Sequence, residues 1–385
     1  MFRAACLILL PSLMLLYQYL RLGTLRFLTS DGRLYLSIAD NFLATGHFIQ
    51  TERWFSGFVV PPGTPLVLLL LRALRFTEGM ITGVQPCLFG LSCLMLGETE
   101  KKLFGHYGAA PFVYLLGYMR CRLMLSNILV EHYHLFLLCL LLWLVFCSHS
   151  RRKLLWMNLA GFWLLLTRPA LSPVYIVILG YTVWTSVRGH RISAAAAVLL
   201  LPAAALAINF AVNYRETGER ILLQSYSGAD LYITACPHAP VTIEEGLSFV
   251  DETRDAYFYE SDLSMNEISR ELGAMAKAFV REHPMEYLGK TALRFHEMFL
   301  KSYAWLTLLP AIGAVLLIRH QEDRRTRALH LFLFGMNLLL AVLTSFGIPE
   351  IRYTAVIWPL ASLHFAALTH DMIGRRFTRS GENYG

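Results

Sequence analysis

NILVEHYHLFLLCLLLWLVFCSHSRRKLLWMNLAGFWLLLTR, residues 127–168, decides the fold class. Two apolar runs, 131–147 and 154–167, are joined by a turn carrying Arg151, Arg152 and Lys153. Apolar runs of about 17–25 residues can cross a bilayer, and clustered cations in a short connection mark its cytoplasmic side. The pattern recurs along the chain. Further candidate spans lie near 4–20, 79–97, 105–119, 170–187, 192–212, 302–318, 329–347 and 354–371. The sequence therefore predicts an all-α polytopic membrane protein of about ten transmembrane helices.

Composition agrees. The 385 residues are 56% hydrophobic and only 16% charged, with a mean hydropathy of +0.48. Soluble domains carry about 45–50% apolar and about 25% charged residues. A purely cytosolic enzyme, a disordered chain, a collagen-like repeat and a disulfide scaffold are all excluded as expectations. The net charge of +7 comes from 34 Lys and Arg against 27 Asp and Glu. These cations cluster between apolar runs, which points to membrane orientation and predicts no nucleic-acid partner.

The short run 64–76 carries Arg72 and Arg75 and reads as an interfacial or re-entrant helix. Leaving it out of the spans puts Lys101/Lys102, Arg151/Arg152/Lys153, Arg188/Arg191, Arg319 with Arg324/Arg325/Arg327, and Arg375/Arg376/Arg379 on the cytoplasmic side, with both termini. Counting it as a span turns every later cluster outward, against the positive-inside bias. In the ten-span arrangement Arg120/Arg122 and Arg168 fall on the outer side, against that bias, as noise or as functional groups. The run 4–20 follows Arg3 and reads as an uncleaved first span, since it is long for a signal peptide and no small-residue cleavage site follows. Three regions result: 1–212, an N-terminal membrane module with a first outer loop at 21–63; 213–300, an outer segment; and 301–385, the C-terminal spans and a short cytoplasmic tail.

The seven cysteines, Cys6, Cys87, Cys93, Cys121, Cys139, Cys147 and Cys236, contain no CxxC pair and read mostly as small buried apolar residues. In the outer segment, Ser264 and Glu267 have capping-box spacing before 268–283, a predicted helix ended by Pro284; 285–299 is amphipathic. DAYFYE (255–260) offers tyrosines for stacking a sugar ring or for the segment's own small core.

The first outer loop opens with TSDGRLYLSIADNFLATGHF (29–48). Tyr35, Ile38, Ala39 and Phe42 follow Asp31 at helical spacing, which predicts a juxtamembrane helix over 33–45 with Gly46 as its C-cap. Asp31 suits either an N-cap or a general base at the interface. The loop ends in VVPPGTPLVLLLLRAL (59–74), a proline-stiffened helix start. Glu131, His132 and His134 open a span. The two histidines are two apart and share no helix face, so they predict no metal pair. Glu131 reads as a second acid, a metal ligand or a plain N-terminal helix acid.

The order of Asp31, Tyr35, Ala39, Gly46, Pro61, Pro62 and Pro65 resembles the GT-C superfamily of glycosyltransferases, in its bacterial branch of protein O-mannosyltransferase and aminoarabinose transferase relatives. KKLFGHYGA (101–109), the segment around Glu131, NYRETGERILLQSYSGADLY (213–232), and PEIRYTAVIWPL (349–360) with Glu350, Arg352, Tyr353 and Pro359, are similar to later family segments. The resemblance implies transfer of a sugar from a polyprenyl-phosphate donor to an outer-side acceptor, with the lipid bilayer as a partner. The acceptor is an envelope glycan, a lipid or a protein. It implies Asp31 as the base that deprotonates the acceptor hydroxyl, assisted by Glu131. Arg352 is the first candidate to hold the leaving lipid phosphate, with Arg53, Arg168 and Arg122 behind it; Tyr35, Tyr353 and Glu350 complete the substrate-binding set. A divalent metal stays open as a cofactor. The aminoarabinose branch carries a phosphate-binding Lys before the proline motif, where this chain has Val60. The implied location is the bacterial plasma membrane, multi-pass, with the site on the outer face. A transporter or flippase of lipid-linked glycan should show repeat halves and midplane charges, which the sequence lacks. An O-antigen ligase or polymerase should lack the Asp-led first loop.

Overall fold

The computed structural model describes residues 9, 12–13, 16–17, 30–49, 59–120, 128, 130–148, 152–186, 192–221, 227–246, 263, 265–301, 324–347 and 351–381. Among these the architecture is all-helical, with no strand. The helices are α1 (Ser30–Thr45), α2 (Gly63–Ala73), α3 (Glu78–Phe104), α4 (Ala109–Arg120), α5 (Val130–Phe146), α6 (Lys153–Thr167), α7 (Ser172–Ser186), α8 (Ile192–Thr217), α9 (Ser227–Thr234), α10 (Met265–Glu282), α11 (Pro284–Phe295), α12 (Arg324–Ser345) and α13 (Trp358–Gly381). A 3-10 turn at Pro169–Leu171 leads into α7, a π-helical turn at His296–Lys301 follows α11, and a 3-10 helix at Ile351–Ile357 leads into α13.

Two helices, Glu78–Phe104 and Arg327–Ser345, are long and apolar enough to cross a membrane by length and composition; the other apolar helices, among them Val130–Phe146 and Lys153–Thr167, are shorter. The expected span at 302–318 lies outside the described residues, as does most of 4–20. The short run expected at 64–76 is α2, whose 11 residues rise about 16 Å, well under the roughly 30 Å of a hydrocarbon core. The first-loop helix begins at Ser30, three residues earlier than its spacing predicts, so Asp31 sits inside the first turn and does not precede it. Gly46 caps its end at φ +76, and its N–H reaches the Phe42 carbonyl at 2.9 Å.

One core joins α3, α4, α5, α6, α7, α12 and α13. Trp358, at the start of α13, is fully buried in it, as are Tyr114, Tyr118 and Phe89, with Phe89 stacked on Tyr114 and tilted against Tyr118. Pro359 follows at the second position of α13, where a missing N–H costs no helical hydrogen bond. Outward, these helices carry exposed Phe112, Leu116, Leu155, Trp156, Ile176, Leu331 and Leu338, and α2 and α8 add exposed Leu70 and Leu200. Cysteines follow this division. Cys93, Cys139 and Cys236 are buried, but Cys87 is exposed, because it falls two turns from exposed Met80 on the outward face of α3. Cys6 and Cys121 lie outside the described residues.

The bundle has two distinct ends. At one, the Arg215 guanidinium donates to the Gly46 carbonyl (2.9 Å) and His47 Nδ1 meets Glu216 Oε2 at 3.0 Å, joining the ends of α1 and α8. Leu36 and Ala39, midway along α1, pack with Ile128 just before α5, so α1 lies across this end. Here too lies a small layer of α9, α10 and α11. Within it the buried Arg294 donates to the carbonyls of Pro240 (2.9 Å) and Thr234 (2.6 Å), and Lys290 donates to those of Cys236 (3.0 Å) and Pro237 (2.5 Å). The helix expected at 268–283 is α10 and ends before Pro284, as predicted. Ser264 and 255–260 lie outside the described residues.

At the opposite end, Glu100 is completely buried. Its carboxylate takes His106 Nδ1 at 2.6 Å and the backbone N–H groups of Gly108, Ala109 and Ala110 at 3.0, 3.1 and 3.0 Å, so it caps α4. Lys153 donates to the Val145 carbonyl at 2.6 Å across the α5–α6 turn, beside exposed Lys101, Lys102 and Arg152.

Candidate functional site

The first end of the bundle collects the polar residues singled out in the sequence. Asp31 is half-buried in the first turn of α1, where the helix dipole favours a carboxylate. Tyr35, one turn on and on the same face, packs between two clusters. One holds Leu36, Ala39, Leu68, Ile81 and Ile128; the other holds Leu34, Ile38, Phe48 and Val60. Val60 is 1% exposed and makes an apolar contact beneath α1. Arg72 of α2 fixes the neighbouring helices by pairing with Asp40 on α1 (3.2 Å) and Glu78 on α3 (3.6 Å).

The Pro-Pro-Gly turn has a specific packing role. A Cβ on Gly63 would lie 2.6 Å from Leu166 C and from Thr167 N, closer than real Cβ atoms approach backbone. Only glycine lets the start of α2 seat on the end of α6. The residue after Thr167 is Arg168, whose Nη1 stands 3.7 Å from Glu131 Oε1 on α5. Glu131 is 1% exposed, and its Oε2 has no hydrogen-bond partner. His134, three residues on and on the same face of α5, is fully buried with both ring nitrogens unpartnered. Thr64, beside Gly63, buries an unpartnered hydroxyl. His132 turns to Tyr118, whose hydroxyl meets its Nδ1 at 2.6 Å.

This is a costly arrangement for a purely structural element. Buried polar atoms without partners destabilise a fold by about 1–3 kcal/mol each. The unpartnered Glu131 oxygen can accept a hydrogen bond from a hydroxyl. His134, named in the sequence only beside His132, and Thr64, not singled out there, both bury unpartnered polar atoms at this end. The i, i+3 spacing of Glu131 and His134 carried the signal, but the pair His132/His134 drew the attention.

The remaining expected residues divide. Arg53, Arg122 and Glu350 lie outside the described residues. The backbone of Arg352 and Tyr353 belongs to the 3-10 helix 351–357, which packs against α5. Among the described residues no group of three or more His, Cys, Asp or Glu side chains is placed to hold a metal ion.

Comparison with known proteins gives no match: no family model, no curated protein and no solved structure is significantly similar to this chain.

Proposed function

We propose that the chain is an integral membrane glycosyltransferase that moves a sugar from a polyprenyl-phosphate donor to an acceptor on the outer side of a bacterial plasma membrane. The Asp31 carboxylate takes the proton from the acceptor hydroxyl. The freed oxygen forms a bond to the anomeric carbon, the bond from that carbon to the phosphate oxygen breaks, and the lipid phosphate leaves with the electron pair. Arginine stabilises the departing charge, with Arg168 and Arg352 as the candidates.

One observation carries this reading: α1, the Pro-Pro-Gly turn and the Glu131–Arg168 pair, which are far apart in sequence, meet at one end of an apolar bundle. The bundle's two ends support a membrane orientation. Lys101, Lys102, Arg152 and Lys153 gather opposite that end, as cytoplasmic cations should. The outward apolar side chains suit lipid contact. We read the chain as crossing about ten times, with both termini cytoplasmic.

Asp31→Asn tests the reading. We expect normal accumulation in the membrane fraction and loss of transfer, measured by mass spectrometry of lipid-linked and envelope glycans in a deletion strain carrying the variant. Full transfer by the variant would remove Asp31 as the base.

A further inference from the structure

Arg294, on the buried face of α11, is 0% exposed. Its Nε donates to the Pro240 carbonyl at 2.9 Å and its Nη2 to the Thr234 carbonyl at 2.6 Å, which pins the turn 234–240 against α11. Its Nη1 is buried and has no hydrogen-bond partner. The two carbonyls answer two N–H groups but not the charge. Thr234 ends α9, and a helix C-terminus supplies at most about half a negative charge. Among the described residues no carboxylate pairs with Arg294. The titratable groups that act on its charge are the Tyr287 hydroxyl and the Cys236 thiol, and burial holds both toward their neutral forms. Lys290, one turn earlier on α11, brings a second cation to the same face. It donates to the Cys236 and Pro237 carbonyls and pairs with Glu286 at 2.9 Å. Two cations therefore share one carboxylate, and the cation without it is the more deeply buried. Fully buried arginine is almost always paired, because an unpaired charge is costly to take out of water.

We propose that Arg294 holds a small monovalent anion of the chloride class at Nη1, with Lys290 as the second positive charge beside it. The inference rests on neither the sugar-transfer reading nor the membrane reading of the chain. Charge, size and surroundings select this occupant. The one charge left over calls for one negative charge. Arg294 is 0% exposed and Cys236 1%, too closed for an organic phosphate or a peptide carboxylate to enter. The side chains packed around Tyr287, among them Ala235, Ala276 and Phe279, are apolar, and an apolar wall suits a weakly hydrated ion. The anion accepts the free N–H groups of the guanidinium, a charge-assisted bond that completes the hydrogen bonding of Arg294.

Equilibrium dialysis of the purified full-length protein against radiolabelled chloride, in sodium gluconate at constant ionic strength, tests this. We expect saturable retention of a single chloride per chain. Arg294→Met replaces the buried ion with an apolar side chain of similar length, an exchange that folds often tolerate, and should retain none. Unfolding against denaturant gives a second readout. The unaltered protein should unfold later in chloride than in gluconate, because a ligand that binds only the folded state stabilises it, and Arg294→Met should unfold at the same midpoint in both. Arg294→Lys keeps the charge but removes Nη1, and should bind chloride about tenfold more weakly. No chloride on the unaltered protein, undiminished chloride on Arg294→Met, or sulfate retained in preference to chloride would each overturn the proposal. Should Arg294→Met fail to accumulate, Arg294→Lys decides, and chloride binding equal to that of the unaltered protein overturns it.

Discussion

Removing the charge of Arg168 should cost far more than removing that of its partner. In Arg168→Gln, the Glu131 carboxylate stays 1% exposed and loses the cation 3.7 Å away. At that separation the attraction is about 4 kcal/mol for an effective dielectric near 20. Breaking a buried pair from one side costs about 3–5 kcal/mol. The Arg168 side chain is 28% exposed, so water recovers part of this and the low end, about 3 kcal/mol, is expected. Glu131→Gln leaves a neutral amide in the same shape and a guanidinium that rehydrates, for a loss of about 1 kcal/mol. Once Glu131 is neutral, Arg168→Gln strands nothing. The double variant should therefore lose about 1 kcal/mol, about 3 kcal/mol less than the sum of the single losses and at the upper end of the range seen for contacting pairs. Unfolding of the purified protein in mild detergent, followed by tryptophan fluorescence against denaturant, measures all four corners of the cycle. Glycan transfer measured on the same four proteins should fall in every variant, including the restabilised double. Single losses that add to within about 0.5 kcal/mol would show that the two groups do not interact, and the site as described would fail.

Two more predictions follow from the geometry. Gly63→Ala must push α2 off α6 by about 0.8 Å to turn a 2.6 Å approach into an ordinary 3.4 Å contact. We expect a stability loss of about 1–3 kcal/mol and a fall in transfer of up to about 100-fold. Gly83→Ala, whose Cβ meets nothing within 4 Å, is the control that should be neutral or stabilising in the same unfolding assay. Glu245 accepts from the N–H groups of Val241 (3.2 Å) and Thr242 (3.3 Å), and these bonds hold its carboxyl below the usual glutamate value. A depressed folded-state value means its contribution is present above the unfolded value of about 4.3 and is lost as pH falls below it. Protection of the Val241 and Thr242 amides, taken relative to the unstructured exchange rate at each pH, should therefore fall in that acid window and stay level with pH in Glu245→Gln; unchanged protection across the window would contradict the cap.

Much of the local structure was written in the sequence. The pattern Tyr35, Ile38, Ala39, Phe42 followed by Gly46 specified a helix and its end, because helical periodicity and a left-handed cap are local properties. The length of α2 was likewise visible, since Arg72 and Arg75 interrupt its apolar run. Helix lengths were harder to read. The apolar run around 105–119 loses its first four residues to the Glu100-held turn, because a buried carboxylate 8–10 residues upstream takes the amides at the α4 N-terminus. That contact spans two helices and leaves no periodic trace.

The chemistry divides in the same way. By itself, the sequence determined an all-helical chain with apolar runs, sorted cations and acidic residues at helix starts, all of which follow from composition and short-range spacing. It nominated Asp31, Glu131 and Arg168 as separate candidates. Only the tertiary structure decided that Glu131 faces Arg168, that His134 shares its buried face, and that Gly63 must be glycine. Each of these depends on which helix lies against which, and that choice is made by side-chain packing summed over the whole core.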